Sequence, residues 1–263
     1  MKLELCFLSE GNIDEAYEYF RRASQLNIHP QRYCAPFKLS HDIDQMRHLY
    51  ARGVAGDDIR QIIAAYESVR DSLPRKMLND HQFALDSAQR AKLAPNYDNA
   101  CYLPACPQSA GSTLGSGVKR KEVEHSYFNA TPNYAVVDNL FSHDALLRLR
   151  AFCREAAIWN DVKKGYPGTY LLDGFCEPLF LQIAHELRQA LPAILADYPL
   201  IEMWAYKCDQ NLSGLNKHAD YAAVNINFWI SPDDANIDPE SGGLVVYKDE
   251  APLSWDFRHY NTD

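Results

Sequence analysis

The spacing of apolar and polar positions divides the chain into three regions. Apolar and small residues recur at intervals of three and four through residues 1–92, which is typical of amphipathic helices. Proline, glycine, serine and threonine interrupt any period in residues 93–131 and predict a loop or linker. Residues 132–263 begin with a short strand and two helices and continue with strand-like segments. The sequence therefore predicts an α+β fold built from these three regions.

The first helix of the N-terminal region resembles a tetratricopeptide unit. Gly11, Ala16, Phe20 and Ala23 are spaced to share one helical face, where small residues let a neighbouring helix approach closely. At least three such units are normally needed to bury a continuous core, and the sequence displays one. A generic amphipathic hairpin is therefore an equal alternative for this region.

Further elements are predicted from apolar stripes, capping residues and β-rich runs. Helices are predicted at 40–50, 59–73, 142–152 and 177–195. Strands are predicted at 134–138, 201–208, 222–230 and 244–247. Ser40 and Ser142 are the expected N-caps of two helices, and Pro192 is expected to kink or end the last one. Short strands separated by turn signals indicate a sandwich or barrel.

The chemical feature that stands out is His218-Ala219-Asp220. Two residues apart in a strand, the imidazole and the carboxylate point to the same face. A histidine and a carboxylate are two of the three ligands of the 2-His-1-carboxylate site, which leaves positions on iron(II) open. Alone, the spacing also occurs by chance, and such a pair is then an ordinary surface pair.

A strand with two unlike faces follows this motif. Asn225, Asn227 and Trp229 share one face, and the residues between them are apolar and share the other. Buried amides need hydrogen-bond partners, so an inward amide face predicts contact with a polar ligand or network. The alternative is that this face is the solvated outside of an antiparallel sheet.

The order of these segments resembles a known superfamily. The segments 203–206, 218–220, 227–231 and 241–247 follow the order of prolyl-4-hydroxylase-like members of the 2-oxoglutarate/iron(II) oxygenases. The segment 135–142 resembles their entry strand and helix, so the likeness covers about residues 132–255. The whole chain resembles bacterial proteins that join tetratricopeptide-like helices to such an oxygenase core.

The resemblance implies a fold and a chemistry. The fold is a double-stranded β-helix, or jelly roll, with iron(II) held by His218 and Asp220 at its mouth. The implied enzyme is a 2-oxoglutarate-dependent dioxygenase, an oxidoreductase that couples decarboxylation of its co-substrate to oxidation of a substrate C–H bond, with ascorbate as a candidate further cofactor. Tyr206 matches a strand tyrosine that contacts the co-substrate. Co-substrate-binding or pocket-lining roles are implied for Asn225, Asn227 and Trp229. Plain core packing is the alternative for each of these four.

The C-terminal part departs from the family pattern. The family needs a second metal-binding histidine and a basic residue on later strands, but the histidine that follows Asp220 is His259, in a polar stretch without strand pattern. About four strands are visible after residue 200, whereas a jelly roll needs eight. We therefore expect a C-terminally truncated, partial jelly roll. Because two ligands hold iron poorly, we expect little or no activity from these residues alone.

Composition and net charge exclude some classes of binding partner. The formal net charge of −9 argues against broad binding to nucleic acids, which requires a basic surface. No apolar run approaches 18 residues, so no membrane span is expected. Seven cysteines without a CxxC pair predict reduced thiols in a cytoplasmic protein.

Two further functions stay open beside the oxygenase. The chain is alternatively a protein-interaction protein, in which tetratricopeptide-like helices bind a protein partner and the β-roll is non-catalytic. It is alternatively a cupin-like metal protein that uses neither iron nor 2-oxoglutarate. The substrate is unknown, because one fold and one metal site serve many substrates, and a protein or peptide is suggested only by analogy.

Overall fold

The computed structural model describes residues 8, 10–26, 33–54, 56–74, 82–94, 96–163, 166–208, 218–236, 243–248, 252, 254–256, 259 and 261. The helices in these ranges are α1 (Ile13–Leu26), α2 (Pro36–Ala51), α3 (Asp58–Asp71), α4 (Ser87–Leu93), α5 (Arg120–Asn129), α6 (His143–Glu155), α7 (Pro178–Ala190) and α8 (Pro192–Leu195). The strands are β1 (Tyr33–Cys34), β2 (Phe83–Ala84), β3 (Asp161–Lys163), β4 (Tyr166–Tyr170) and β5 (Trp204–Tyr206). The helices and the small antiparallel sheets confirm the α+β class.

Two compact units are formed from interleaved segments. The first unit consists of Met1–Pro107, Ala151–Leu181 and Ile201–Leu212. The second unit consists of Gln108–Arg150, Gln182–Leu200 and Ser213–Asp263. The divisions fall within α6 and α7. The domain boundaries predicted after residues 92 and 131 stay predictions.

α1, α2 and α3 follow the predicted apolar stripes, with one difference in where α2 begins. Pro36 occupies the first turn of α2, and Ala35 before it is extended and is the N-cap. Proline suits this place because its φ is already helical and its missing N–H would have had no partner. Ser40 therefore lies one turn inside the helix, and its prediction as N-cap was wrong.

One buried cluster forms the core of the helical part of the first unit. Side chains from α2, α3, α4 and the β1–β2 pair meet in it, including Leu39, Ile43, Met46, Leu49, Tyr66 and Val69. Tyr33 pairs with Ala84 and Cys34 with Phe83 across the antiparallel β1–β2 pair. The chain segment before α2 is thereby joined to the segment before α4.

A three-stranded antiparallel sheet with the order β3-β4-β5 completes the first unit. Gly168 of β4 lies opposite Tyr206 of β5. A Cβ at Gly168 would come within 2.8 Å of the Tyr206 ring, so only glycine permits this close approach. The strand predicted at 201–208 is present as the three residues of β5.

The second unit contains one helix that the sequence did not predict. α5 lies within the segment 93–131, for which the sequence predicts a loop or linker. Lys119 and Glu122, at 3.3 Å, and Arg120 and Glu124, at 3.2 Å, form ion pairs along it. The region is therefore a mixture of loop and helix.

The predictions for the two later helices were confirmed. The Ala145 backbone N–H donates to Ser142 Oγ at 3.4 Å, as expected of an N-cap. A helix break separates α7 from α8, and Pro192 occupies the first turn of α8. Its ring cannot continue the helix of the preceding residues, so Pro192 ends α7 as expected.

Three predicted strands are not strands in the structure. The segments 134–138, 222–230 and 244–247 are described in full and have no strand assignment. Alternation of apolar and polar residues is insufficient by itself, because a strand also needs a hydrogen-bonded neighbour. The described strands form two small sheets, and the jelly roll stays a prediction. Within the described ranges no helix is long and apolar enough to cross a membrane.

The core assignment of the first unit is tested by truncating one leucine. Leu49 is 0% exposed, whereas Leu26 is 83% exposed. Leu49→Ala should lower the free energy of unfolding by about 2–5 kcal/mol, because it leaves a cavity in the core. Leu26→Ala should change it by less than about 0.5 kcal/mol. Urea unfolding of both variants measures this, and equal effects would contradict the assignment.

Candidate functional site

His218 and Asp220 are brought side by side in the second unit. His218 Nε2 lies 3.8 Å from Asp220 Oδ1, and the two side chains are 48% and 34% exposed. The predicted pairing of these two side chains is therefore present, although the segment has no strand assignment. Both groups are accessible from solvent, so a ligand can reach them.

The Asp220 carboxylate has a second partner on its other oxygen. Asn225 Nδ2 donates a hydrogen bond to Asp220 Oδ2. The Ala222 backbone N–H donates to the backbone carbonyl of Asp220 at 2.9 Å. These two bonds close the chain from 220 to 225 into a compact loop. A local loop, and not a β-strand, thus orients the carboxylate.

The residue between the two side chains is held through its backbone. Asn261 Oδ1 accepts from the Ala219 N–H at 2.9 Å, and Asn261 Nδ2 donates to the Ala219 carbonyl at 3.2 Å. A side-chain amide with this pair of bonds imitates the donor and acceptor of a neighbouring strand. The sequence analysis did not identify Asn261, because the contact spans 42 residues.

His218 and Asp220 carry two kinds of donor that divalent cations accept. Metal bonds to an imidazole nitrogen or a carboxylate oxygen are about 2.1 Å long, so donors in neighbouring positions of an octahedral ion lie about 3.0 Å apart. The 3.8 Å separation of His218 Nε2 and Asp220 Oδ1 is wider than this, so the two side chains would have to move closer together to bind one ion. Among the described residues, no group of three or more His, Cys, Asp or Glu side chains is arranged to hold a metal ion. The prediction that His218 and Asp220 are two metal ligands stays a prediction.

His259 makes a different local contact. Its Nδ1 lies 2.8 Å from Asp256 Oδ1, and the imidazole is 63% exposed. The Asp256 carboxylate also accepts the His259 backbone N–H at 3.1 Å. This is a hydrogen-bonded contact between neighbours in sequence, and no metal-holding group among the described residues includes His259.

The predicted ligand-binding face after the motif is open to solvent. Asn225, Asn227 and Trp229 are all exposed, with Trp229 at 66%. The apolar residues Ile226 and Phe228, predicted to face a core, are also 40% and 42% exposed. Because both faces are exposed, the structure does not separate a polar pocket face from an apolar core face here. The co-substrate-binding roles of the three residues stay predictions.

Two contacts anchor this exposed segment within the second unit. The rings of Phe228 and Phe141 meet edge to face, with 5.0 Å between their centroids. The Arg150 guanidinium donates to the backbone carbonyls of Ile230 and Ser231. An aromatic pair and a charged donor therefore hold a segment that lacks strand neighbours among the described residues.

Tyr206 lies in the first unit, within a group of tyrosines on the three-stranded sheet. Its hydroxyl is 3.4 Å from that of Tyr170, and its ring meets Tyr166 edge to face at 5.0 Å. The Tyr170 hydroxyl donates to Asp161 Oδ2 at 3.1 Å. Burial is the first cause of the raised pKa of Tyr170, and the Tyr206 hydroxyl adds to it. The structure thus gives Tyr206 partners within the sheet, and its proposed contact with a co-substrate stays a prediction.

The first unit contains a buried ion pair that the sequence analysis did not identify as a site. Lys38 is 2% exposed, and its Nζ lies 2.5 Å from Asp42 Oδ2. Burial favours the neutral amine, but attraction by Asp42 and Asp98 outweighs it, and the pKa of Lys38 is raised. Burial would raise the pKa of Asp42, but Lys38 and His41 hold it below its ordinary value. Both groups are therefore charged at neutral pH.

A half-buried lysine, Lys207, is linked to the same helix through Gln45. Lys207 Nζ lies 2.5 Å from Gln45 Oε1 and 4.4 Å from the centre of the Trp159 ring. Gln45 Nε2 donates to the backbone carbonyl of Arg154. Burial lowers the pKa of Lys207 to about 8, opposed by Cys153 and Asp42. The amide and the aromatic ring stabilise the ammonium less than a direct carboxylate would.

A small polar cavity lies beside the Lys38–Asp42 pair. Its volume is about 10 Å³, and its lining includes Lys38, Asp42, Gln45, Asn96, Asn99 and Asn160. This is room for about one water molecule, which such polar walls would hold. A sequence signal existed, because Lys38, Asp42 and Gln45 recur on one helical face otherwise rich in apolar residues. We interpret this cluster as structural, since it offers no space for a substrate.

Comparisons of the chain with protein-family models, curated proteins and solved structures found no match.

The buried pair is tested against an exposed carboxylate on the same helix. Asp42→Asn leaves the Lys38 ammonium buried without its counter-charge and should lower the free energy of unfolding by about 3 kcal/mol. Asp44, which pairs with Arg47 at 3.3 Å with both side chains more than half exposed, is the control. Asp44→Asn should cost less than about 1 kcal/mol. Chemical denaturation measures both, and equal losses would show that Lys38 does not depend on Asp42.

Lys207 should make stability depend on pH. Because its pKa is about 8 in the folded chain and 10.5 ordinarily, the unfolded chain binds more protons between these values. The contribution of Lys207 to the free energy of unfolding should therefore rise with pH through this window, by about 3 kcal/mol. Buried thiols with raised pKa values, such as Cys34 and Cys153, act in the opposite direction above pH 9. The lysine is therefore isolated as the difference in free energy of unfolding between wild type and Lys207→Met, which should grow with pH, whereas the difference between wild type and Lys92→Met, at an exposed position, should stay constant. Denaturation at pH 7.5 and pH 10 checks it, and parallel pH profiles for wild type and Lys207→Met would contradict the shift.

Proposed function

We propose that His218 and Asp220 bind iron(II) and that the chain is a 2-oxoglutarate-dependent oxygenase that oxidises a C–H bond. The observation that carries the proposal is the 3.8 Å separation of the imidazole and carboxylate donors. An imidazole and a carboxylate form two of the three corners expected of a non-haem iron(II) oxygenase site. Exposure of both groups supports access by a metal and a co-substrate.

When bound, iron(II) with 2-oxoglutarate and dioxygen would supply the oxidising chemistry, which protein side chains lack. The residues of this chain would hold the metal ion and orient its donor groups. His218 Nε2 and Asp220 Oδ1 present the two donors, Asn225 orients the carboxylate, and Asn261 fixes the backbone between them. Each contact restricts the motion of a donor before binding, which reduces the loss of freedom on binding.

The finer fold belongs to the same proposal. We propose that residues 132–263 belong to a double-stranded β-helix fold. The antiparallel pairing of β5 with β4 supports this arrangement.

A protein-interaction protein without catalysis is the second candidate. It is favoured by the lack of a third donor beside His218 and Asp220 among the described residues. In that case the helices of the first unit would bind a protein partner, and the His–Asp pair would be an ordinary surface pair. Metal binding separates the two candidates directly, because the second requires none.

Metal affinity tests the proposed site. Manganese(II), a redox-stable substitute for iron(II), should bind the 263-residue chain under conditions where His218→Ala and Asp220→Ala bind at least about tenfold more weakly. Each variant removes one of two donors, and metal affinity depends on a complete ligand set. Electron paramagnetic resonance of free manganese(II) during titration measures the affinity.

His125→Ala is the matched control for this test. His125 is another exposed histidine of the second unit, and it lies 3.1 Å from Asn129 Nδ2 on α5. Its removal should leave manganese(II) affinity unchanged. Unaltered affinity in both donor variants would refute the metal site, and no binding by the wild-type chain would favour the interaction protein.

A further inference from the structure

The two oxygens of the Asp220 carboxylate are placed in different surroundings. Oδ1 is the oxygen that lies 3.8 Å from His218 Nε2. Oδ2 accepts the hydrogen bond from Asn225 Nδ2. A carboxylate can bind a metal through one oxygen or both, so a partner on one oxygen affects which mode is open. The structure therefore distinguishes the oxygen near the second donor from the oxygen that is already engaged.

The bond from Asn225 is of the stronger kind. A donor to an ionised carboxylate forms a charge-assisted hydrogen bond, which is roughly twice as strong as one between neutral groups. The bond also joins residues five apart in sequence, so the short loop 220–225 determines its geometry. The backbone bond from Ala222 to Asp220 shortens the same loop further. The orientation of the carboxylate is thus set locally.

We propose that Asn225 is a positioning residue that makes Asp220 a monodentate metal ligand, with Oδ1 on the metal and Oδ2 retained by the amide. This inference rests on the proposed function, because it requires that Asp220 bind a metal. Hydrogen bonds to ligating side chains fix their orientation and tune the metal. The sequence implied that Asn225 contacts the co-substrate. In this proposal Asn225 acts instead through Asp220.

The monodentate mode has a chemical consequence at the site. A carboxylate that binds through one oxygen occupies a single coordination position, and binding through both would occupy two. An oxygenase needs several open positions, for the co-substrate and for oxygen. Holding Oδ2 away from the metal keeps one of these coordination positions free. The amide of Asn225 thus limits the coordination number that the protein itself supplies.

Two substitutions of Asn225 and one control test this assignment. Asn225→Leu keeps a similar volume and removes the donor, whereas Asn225→Gln keeps a donor on a longer side chain. Asn129→Ala is the control, because Asn129 is also an exposed asparagine of the second unit and donates at 2.7 Å to a backbone carbonyl on α5. Since Asn225 is exposed, none of these changes should unfold the chain, and thermal unfolding checks this.

The readouts are manganese(II) affinity and the visible spectrum of the cobalt(II)-bound chain. Asn225→Leu should weaken manganese(II) binding by about 10–100-fold. Its cobalt(II) absorption should also become weaker, because a second carboxylate oxygen raises the coordination number. Asn225→Gln should retain most of the affinity and the wild-type spectrum, and Asn129→Ala should match wild type in both measurements.

The outcomes distinguish this inference from the function on which it rests. If His218→Ala abolishes metal binding while Asn225→Leu changes neither affinity nor spectrum, the positioning role is overturned and the proposed function stands. If neither substitution affects binding, the proposed function fails and the positioning role fails with it. If Asn225→Leu unfolds, the decision passes to Asn225→Gln, whose loss of both affinity and spectrum would contradict the role of the amide donor.

Discussion

A buried ammonium group is the constraint on which the packing of the first unit depends. Lys38 is almost fully enclosed, so its charge must be balanced within the protein. Asp42, one turn further along α2, supplies the counter-charge, and Gln45 on the same face connects α2 to Lys207 and to the Arg154 carbonyl. These polar contacts fix the rotation of α2 about its axis, because turning it would expose the pair or separate its members.

In the second unit, a charged group is oriented without being buried. Asp220 lies at the surface, where water can solvate it, so the enclosure that constrains Lys38 is absent. Hydrogen bonds from Asn225 and, through the backbone of Ala219, from Asn261 orient the segment. The His218 and Asp220 side chains are therefore accessible to solvent, whereas the enclosed pair of the first unit contributes to stability.

The sequence predicted elements whose signals are local. α1, α3 and α6 follow from apolar spacing and from a capping serine, because helical hydrogen bonds join residues four apart. The prediction of a strand at 222–230 was wrong, although apolar and polar residues alternate clearly there. Strand pairing depends on segments that are distant in sequence. The His218–Asp220 pair was predictable from its spacing. The hydrogen bonds from Asn261, 42 residues away, could not be predicted from the sequence. The same holds for the hydrogen bond between Gln45 and Lys207.

The site in the second unit requires that one metal ion join His218 and Asp220. This is decided by anomalous diffraction at the manganese edge, from anaerobic crystals of the chain grown with manganese(II). We expect a single strong peak bonded to His218 Nε2 and Asp220 Oδ1, with Oδ2 still hydrogen-bonded to Asn225. A peak bonded to neither side chain, or none at manganese concentrations that saturate binding in solution, would contradict it.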